Sequence, residues 1–375
     1  MLELIAARRR LASILAAVLA TAATAELGPQ FRGFRMDGQG RTGTASIDGV
    51  DALFLNPAGL AGLRGNGFQV SGNMGLNAVL LDYAKWAADN YSYLNTIDSL
   101  LLKIEPIQNK WAPFSNSFLA QGHYQDFAIS MVQDIRYDLS LSKAVITPVP
   151  GVGMLSDFQL AAGRGFSPRP EWKVGFAMKY LYRLRFRNRL VGTTDEEFYK
   201  VKAVLQRPAN SLGEQIDKIG VAQEVAEAGQ GFGINMGAMR MFDKGFSAGF
   251  SLLDFPTFYN GGFLFPQMNL GGGYAKDFEM LEGLNHRVVV NLDWQVPFSW
   301  EPWFKQWKMG TALEGRMGNR VVSVTSLGFN DGYPAFGLRV GYLLYFSYLY
   351  IAEETGSYPG QRKLSFHKIG LDFGF

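Results

Sequence analysis

The chain has 375 residues, a net charge of +3, three histidines and no cysteine, which excludes disulfide scaffolds and thiol catalysis. Glycine, at 44 residues, and aromatics, at 14%, are both abundant. The glycines alternate with Phe, Tyr, Trp and Met rather than with Ser and Pro, a mixture that folds instead of staying disordered.

Residues 1–25 begin with Arg8, Arg9 and Arg10, continue with the apolar run LASILAAVLA and end in Ala23, Thr24 and Ala25. This charged, greasy, small-residue order is that of a secretory signal, with cleavage expected before Glu26. A membrane anchor would need about 20 apolar residues, and this run is shorter.

Residues 26–65 are Gly-rich with little greasy alternation, so they do not read as wall. Within them lies LNPAGL. Pro57 fixes φ and removes a donor, Ala58 and Gly59 permit close backbone approach, and Asn56 can bond its own main chain to hold the turn. Such a compact segment is expected to fold into a barrel lumen as a hatch or plug. Phe54, Leu55, Leu60 and Leu63 either line a pocket for an apolar tail or pack the plug against the wall.

From Phe68 to Leu80 the even positions are mostly greasy and the odd ones polar or small, the period of a strand with one apolar face. The pattern recurs at 172–187, then more weakly at 229–242, 245–255, 285–297, 306–317 and 364–375. Adding 124–133, 136–147, 155–166, 266–277, 320–330, 334–342 and 343–351 gives about fourteen strands. Most exceed the five or six residues usual in soluble sheets. A bilayer demands strands of about 9 to 11 residues and a closed sheet that leaves no backbone unpaired in lipid. The expected fold is therefore an all-β, transmembrane antiparallel β-barrel of about 14 strands spanning 66–375, in the bacterial outer membrane. A secreted β-sandwich would also alternate, but the greasy faces are too large to leave in water.

Two stretches break the period. Residues 82–119 carry Tyr83, Ala87, Leu94, Ile97, Leu101 and Ile104 at near-helical spacing, and 194–228 place Phe198, Val201 and Leu205 on one face before a capping box at Ser211–Glu214. Both are expected as helical inserts on the outer side, where such barrels keep their long loops. They serve as lids, as partner surfaces, or as plain loop.

In the long alternating segment Trp172, Phe176, Tyr180, Leu184 and Phe186 share the lipid-facing parity. Lys173, Lys179, Arg183, Arg185 and Arg187 share the other, a basic stripe facing the lumen or its rim. Polar lumens are ordinary; the sharper reading has Arg183, Arg185 and Arg187 attracting an anionic head group. The final HKIGLDFGF puts Ile369, Leu371, Phe373 and Phe375 on one face, as a closing strand does. His123, His286 and His367 are far apart, without HExxH, GxSxG or a phosphate loop ending in GK[ST]. No enzyme activity, metal or cofactor is implied, and nothing indicates nucleic acid.

DALFLNPAGLAGL followed by an alternating strand resembles the N-terminal hatch motif of the long-chain fatty-acid transporter (FadL-type) superfamily of outer-membrane barrels, which PorV-type barrels share. GFGINMGAMRMFDKGFSAGFSLLDFPT is similar to its central hairpin, and the last 39 residues to its closing hairpins. The resemblance covers most of the chain after the signal, with Asn56-Pro57-Ala58 its sharpest part, and implies fourteen strands and a hatch around Asn56, Pro57, Ala58 and Gly59. It also implies uptake of a hydrophobic or amphipathic ligand such as a fatty acid, and assembly through the barrel-assembly machinery reading Phe375. The large inserts resemble secretion-associated branches, whose barrels would dock a secreted or surface protein instead of transporting.

Overall fold

A computed structural model describes residues 34–90, 111–143, 148–190, 226–259, 262–263, 266–281, 284–297, 303–317, 320–354 and 363–374. The signal, most of the insert at 194–228 including its capping box, and Phe375 lie outside the described residues.

The wall begins with β1 (Asn66–Asn77), β2 (Trp111–Tyr124), β3 (Phe127–Lys143), β4 (Pro148–Arg169) and β5 (Trp172–Leu190). It continues through β6 (Ala226–Met241), β7 (Phe246–Leu253), the short β8 (Thr257–Tyr259) and β9 (Gly262–Phe263), β10 (Gln267–Leu281) and β11 (Leu284–Pro297). It ends with β12 (Trp307–Met317), β13 (Arg320–Asn330), β14 (Tyr333–Gly341), β15 (Leu344–Glu354) and β16 (Lys363–Gly374). All sixteen belong to one sheet, and removing the β8–β9 hairpin that flanks β6 leaves a wall of fourteen. Every pairing is antiparallel; β1 pairs with β16, β5 with β6 and β7 with β10, so the wall closes without an edge. Closure satisfies the backbone internally, which is what a hydrocarbon surrounding requires.

The faces follow the expected parity. Along β5, Trp172, Phe176, Met178 and Tyr182 point outward and are 36 to 60% exposed, while Ala177, Lys179, Leu181 and Arg183 point inward and are buried. Phe68, Phe250, Leu292, Leu313, Phe346 and Leu371 extend the greasy outer face to other strands. No described helix is long and apolar enough to cross a membrane; the strands do so.

The expected strand count is met through two errors that cancel. The stretch 111–119, expected as the end of a helical insert, is already strand β2; only α3 (Ala78–Asp89) is helical there, capped by the Asn77 side chain accepting from Val79 N at 2.8 Å, and 91–110 lie outside the described residues. The outward face of β2 includes Asn116, Ala120 and Gly122, and its inward face Ser115, Ser117 and Gln121, so its alternation is faint. Conversely, the pieces expected at 124–133 and 136–147 are one strand, β3. The break left between them at 134–135 falls inside continuous wall, where Gln133 is an outward side chain and Asp134 an inward one.

Connections alternate between the two ends. Those at 125–126, 170–171, 242–245, 282–283, 318–319 and 342–343 share one end and are all short. The strand ends that bound the long ones, 78–110, 191–225 and 254–266, all lie at the other.

Candidate functional site

Residues 34–62 pack against the inner face of the wall. They comprise α1 (Phe34–Gly38), α2 (Ala52–Leu55) and a 3-10 turn at Pro57–Gly62. Their path is set by inward glycines. A Cβ on Gly310 or Gly328 would come closer than 3.0 Å to the Gln39 main chain, on Gly249 to Thr44, on Gly237 to the Asn56 side chain, on Gly175 to Pro57, and on Gly165 to Ala61. These sit on β12, β13, β7, β6, β5 and β4. Their lack of a side chain lets the segment's backbone lie directly on the wall. Gly72 and Gly272, by contrast, have nothing within 4 Å of a built Cβ. Much of the glycine that looked merely compositional is this seat.

The motif around Asn56 locks the segment. Asn56 is fully buried; its Oδ1 accepts from Ala58 N at 3.1 Å, and its Nδ2 donates to Thr44 O at 2.6 Å and to Ala238 O of β6 at 3.3 Å. Pro57 opens the 3-10 turn, where a missing N–H costs nothing. Ala58 is buried, and Gly59 lies so close to Ile47 O and Ala52 that a Cβ would collide. The turn thus has the form its residues implied.

Polar residues of the wall that the sequence reading passed over hold the rest. Asp293 on β11, wholly buried, accepts through Oδ2 from Gly43 N, Thr44 N and Thr44 Oγ1 at 2.8 to 2.9 Å. Gln295 donates to Arg41 O at 2.8 Å, and Asn235 on β6 to Leu53 O at 2.9 Å. The signal was available: Asn291, Asp293 and Gln295 stand at alternate positions of an otherwise greasy strand, VVVNLDWQV.

Phe54, Leu55 and Leu60 are at most 7% exposed. With Leu53 and Met36 they form one core with Leu119, Val132, Ala161 and Ala177 of the wall. Of the two readings of these side chains, packing is the one observed. Along the basic stripe, Arg183 is buried in two bonds to Asp157, Nε to Oδ1 at 2.7 Å and Nη2 to Oδ2 at 3.0 Å, and Lys179 pairs with Asp254 at the β7–β8 corner. Each charge is matched inside the protein, as buried ions must be. Arg185 is exposed on the same inward parity; Arg187 belongs to β5, but its side chain is outside the described set.

Between the segment and the inner faces of β1–β3 and β13–β16 lies a cavity of about 440 Å³. Its lining is charged. Arg35 bonds Asp48 at 2.8 Å and Glu314 at 2.8 Å, Arg41 pairs with Asp37 and Glu353, Lys368 with Asp37, and Arg339 with Asp372. Burial opposes the charge of Arg35, but Asp48 and Glu314 overcome it and hold its pKa above the usual value. Arg136 stacks on Phe366 at 5.5 Å, and Leu63, Leu119 and Val50 supply apolar surface. No group of His, Asp or Glu among the described residues is arranged to hold a metal ion.

A closed fourteen-stranded wall with a greasy exterior and an interior N-terminal segment defines an outer-membrane type of β-barrel. No protein-family model matches the chain, and no curated protein sequence does. Solved structures do. A deletion mutant of the TodX monoaromatic hydrocarbon channel aligns over 91% of this chain and 97% of its own, at 10% identity and a TM-score of 0.50. The toluene transporter TbuX of Ralstonia pickettii aligns over 92% of this chain and 98% of its own, at 10% identity and a TM-score of 0.48. TodX of Pseudomonas putida aligns over 94% and 99%, at 12% and 0.48. The fold is shared with the first of these, the TodX channel variant.

Proposed function

We infer that the protein is an outer-membrane channel for the uptake of hydrophobic or amphipathic small molecules, with residues 26–65 acting as its hatch. One observation carries this reading: residues 34–62 are seated on the wall by inward glycines and a few side-chain bonds, while the strand ladder closes without them. A unit held that way can shift while the wall stays sealed. The fold shared with hydrocarbon channels supports the same class of cargo. Deleting 31–62 is expected to leave a folded, heat-modifiable barrel whose conductance in a planar bilayer rises from near zero to that of an open pore. A deletion variant that folds yet conducts no better than the intact protein contradicts the hatch.

Fatty acids are the finer form of this reading. Arg185, exposed on the inward parity, and Arg187 are the members of the stripe to neutralise, and labelled fatty-acid uptake in cells is the measurement. The docking alternative draws on the gathering of the long connections at one end of the barrel. It stands if deleting 194–228 abolishes binding of a secreted protein while no hydrophobic solute is taken up. Export through the signal and assembly through Phe375 belong to the same proposal; N-terminal sequencing of the membrane-embedded protein checks the first.

A further inference from the structure

Arg240 stands on the greasy outer side of the wall. It pairs with Trp172 across the β5–β6 ladder and with Ala248 across β6–β7, both outward positions, and its own side chain is exposed. Its guanidinium carbon lies 5.3 Å from the centroid of the Trp172 ring and 5.0 Å from that of Phe242. The 3-10 turn Asp243–Gly245 packs against β10, where a Cβ on Gly245 would meet Ala275 O. Continuing the Phe246–Tyr274 pairing by two residues sets Lys244 beside Lys276, and both are exposed. None of these three cations makes an ion pair among the described residues, not even with Glu171 and Asp243 of the adjoining turns. From Arg240 a row of small outward positions crosses the strands, Ala248 on β7 and its partner Gly272 on β10, where a built Cβ has nothing within 4 Å. Large side chains flank the row: Phe246 and Tyr274, rings 5.0 Å apart, toward the short connections, and Phe250 with Leu270 toward mid-wall. The row is a slot in the greasy face with Arg240 at its end.

A cation on the lipid side is costly at midplane and tolerated at head-group height, so Arg240 belongs where phosphates lie. With the two rings against its faces, the guanidinium keeps its N–H groups free at the edge, the geometry that meets a phosphate with two parallel bonds. A hydrocarbon chain laid in the slot recovers the dispersion contacts that a gap against the wall would forfeit. Lys244 and Lys276 repel a head group that carries its own ammonium. We propose that this face binds one anionic glycerophospholipid, its phosphate on Arg240 and an acyl chain over Ala248 and Gly272, with the two lysines rejecting cationic head groups. Short connections mark the periplasmic side of such barrels, so the ligand is a phospholipid of that leaflet and not the lipopolysaccharide of the other. The assignment needs the wall in a bilayer and does not need the hatch to move.

The test is native mass spectrometry of the full barrel, released from detergent after titration with phosphatidylglycerol or phosphatidylcholine of the same acyl chains. One phosphatidylglycerol is expected to bind saturably and about tenfold more tightly than phosphatidylcholine, the worth of one charge-assisted hydrogen bond. Arg240→Leu, apolar on a lipid-facing position, should fold and erase that preference. Gly272→Val leaves every charge in place and fills the slot, so it should weaken both lipids several-fold while the preference stays. Arg164→Gln is the control: this second exposed arginine stacks on Phe166 at 5.1 Å but is already paired with Asp126, and its loss should change neither lipid. Equal binding of the two lipids, a preference that survives Arg240→Leu, or full affinity in Gly272→Val overturns the proposal. A loss in Arg164→Gln as large as in Arg240→Leu also overturns it, because the whole basic rim, and not one site, would then be attracting anionic lipid.

Discussion

The two sides of the N-terminal segment are held by different physics. Toward β2–β6 it presents Leu53, Leu55 and Leu60 to inward alanines and glycines, and the contact is dry and close. Around the cavity it presents Arg35, Asp37, Arg41 and Asp48, and there its contacts with the wall include ion pairs to Glu314, Lys368 and Glu353, beside the close backbone contact of Gln39 with Gly310 and Gly328. Burying a leucine contributes roughly 1.5 to 3 kcal/mol and cannot be traded for solvent, whereas an ion pair beside a cavity can exchange its partner for water, and solvent-exposed pairs contribute at most about 1 kcal/mol. On the proposed reading the apolar side anchors and the charged side yields, so the moving face of the hatch would be the one at the cavity.

The largest expected effect is on the anchoring side. Gly175→Val would drive a side chain into Pro57, so the segment should lose its seat while the wall, paired strand to strand, persists. Full single-channel conductance with an unchanged heat-modifiability band is the expected outcome, and Gly272→Val, facing open space, is the control that stays closed. If the two variants behave alike, the glycine seat is not what holds the segment.

Next come the charges. Arg183→Met strands Asp157 in the interior and should cost about 3 to 5 kcal/mol of barrel stability in urea titration, most of it recovered when Asp157 is also made apolar. Lys368→Met on the cavity side leaves Asp37 with Arg41, so its cost should stay within about 1 kcal/mol. Similar losses in both would erase the distinction between the two sides.

Asn56→Ala removes two donated bonds and one accepted bond at a fully buried position. It leaves Thr44 O without that donor, a cost of about 1 to 3 kcal/mol. Because the wall does not depend on the turn, the loss should appear as faster hydrogen exchange across 43–60 and brief conductance flickers, with global unfolding unmoved. The smallest effect is that of acid. Burial alone would raise the Asp48 pKa, but Arg35, Arg287 and Arg316 outweigh it and hold it below the usual carboxylate range. Its stabilisation is thus present above the pKa of the unfolded chain and lost as the pH falls through the depressed value. With Asp48 34% exposed, water screens the pairs and the loss should be under about 1 kcal/mol. Exchange of 34–48 as a function of pH measures it; loosening that sets in at neutral pH would implicate another group.

The alternation of β5 by itself determined which side chains meet lipid, because pleating admits only two faces and a bilayer admits charge on one of them. LNPAGL likewise determined its turn, since Pro57 and Asn56 act on neighbouring backbone. Strands β2 and β3 escaped because lumen residues such as Ser115, Ser117, Gln121 and Asp134 obey no hydropathy rule; their neighbours are a segment far away in sequence, not solvent or lipid. The same distance hid the partners of Asp293 and Arg183 and turned the glycine of six strands from composition into a seat. Period and turn are written in residues a few positions apart. Which buried charge is matched, which glycine is touched and where a cavity remains open are decided by closure, which brings Gly43 against Asp293 and Asp51 against Gln121.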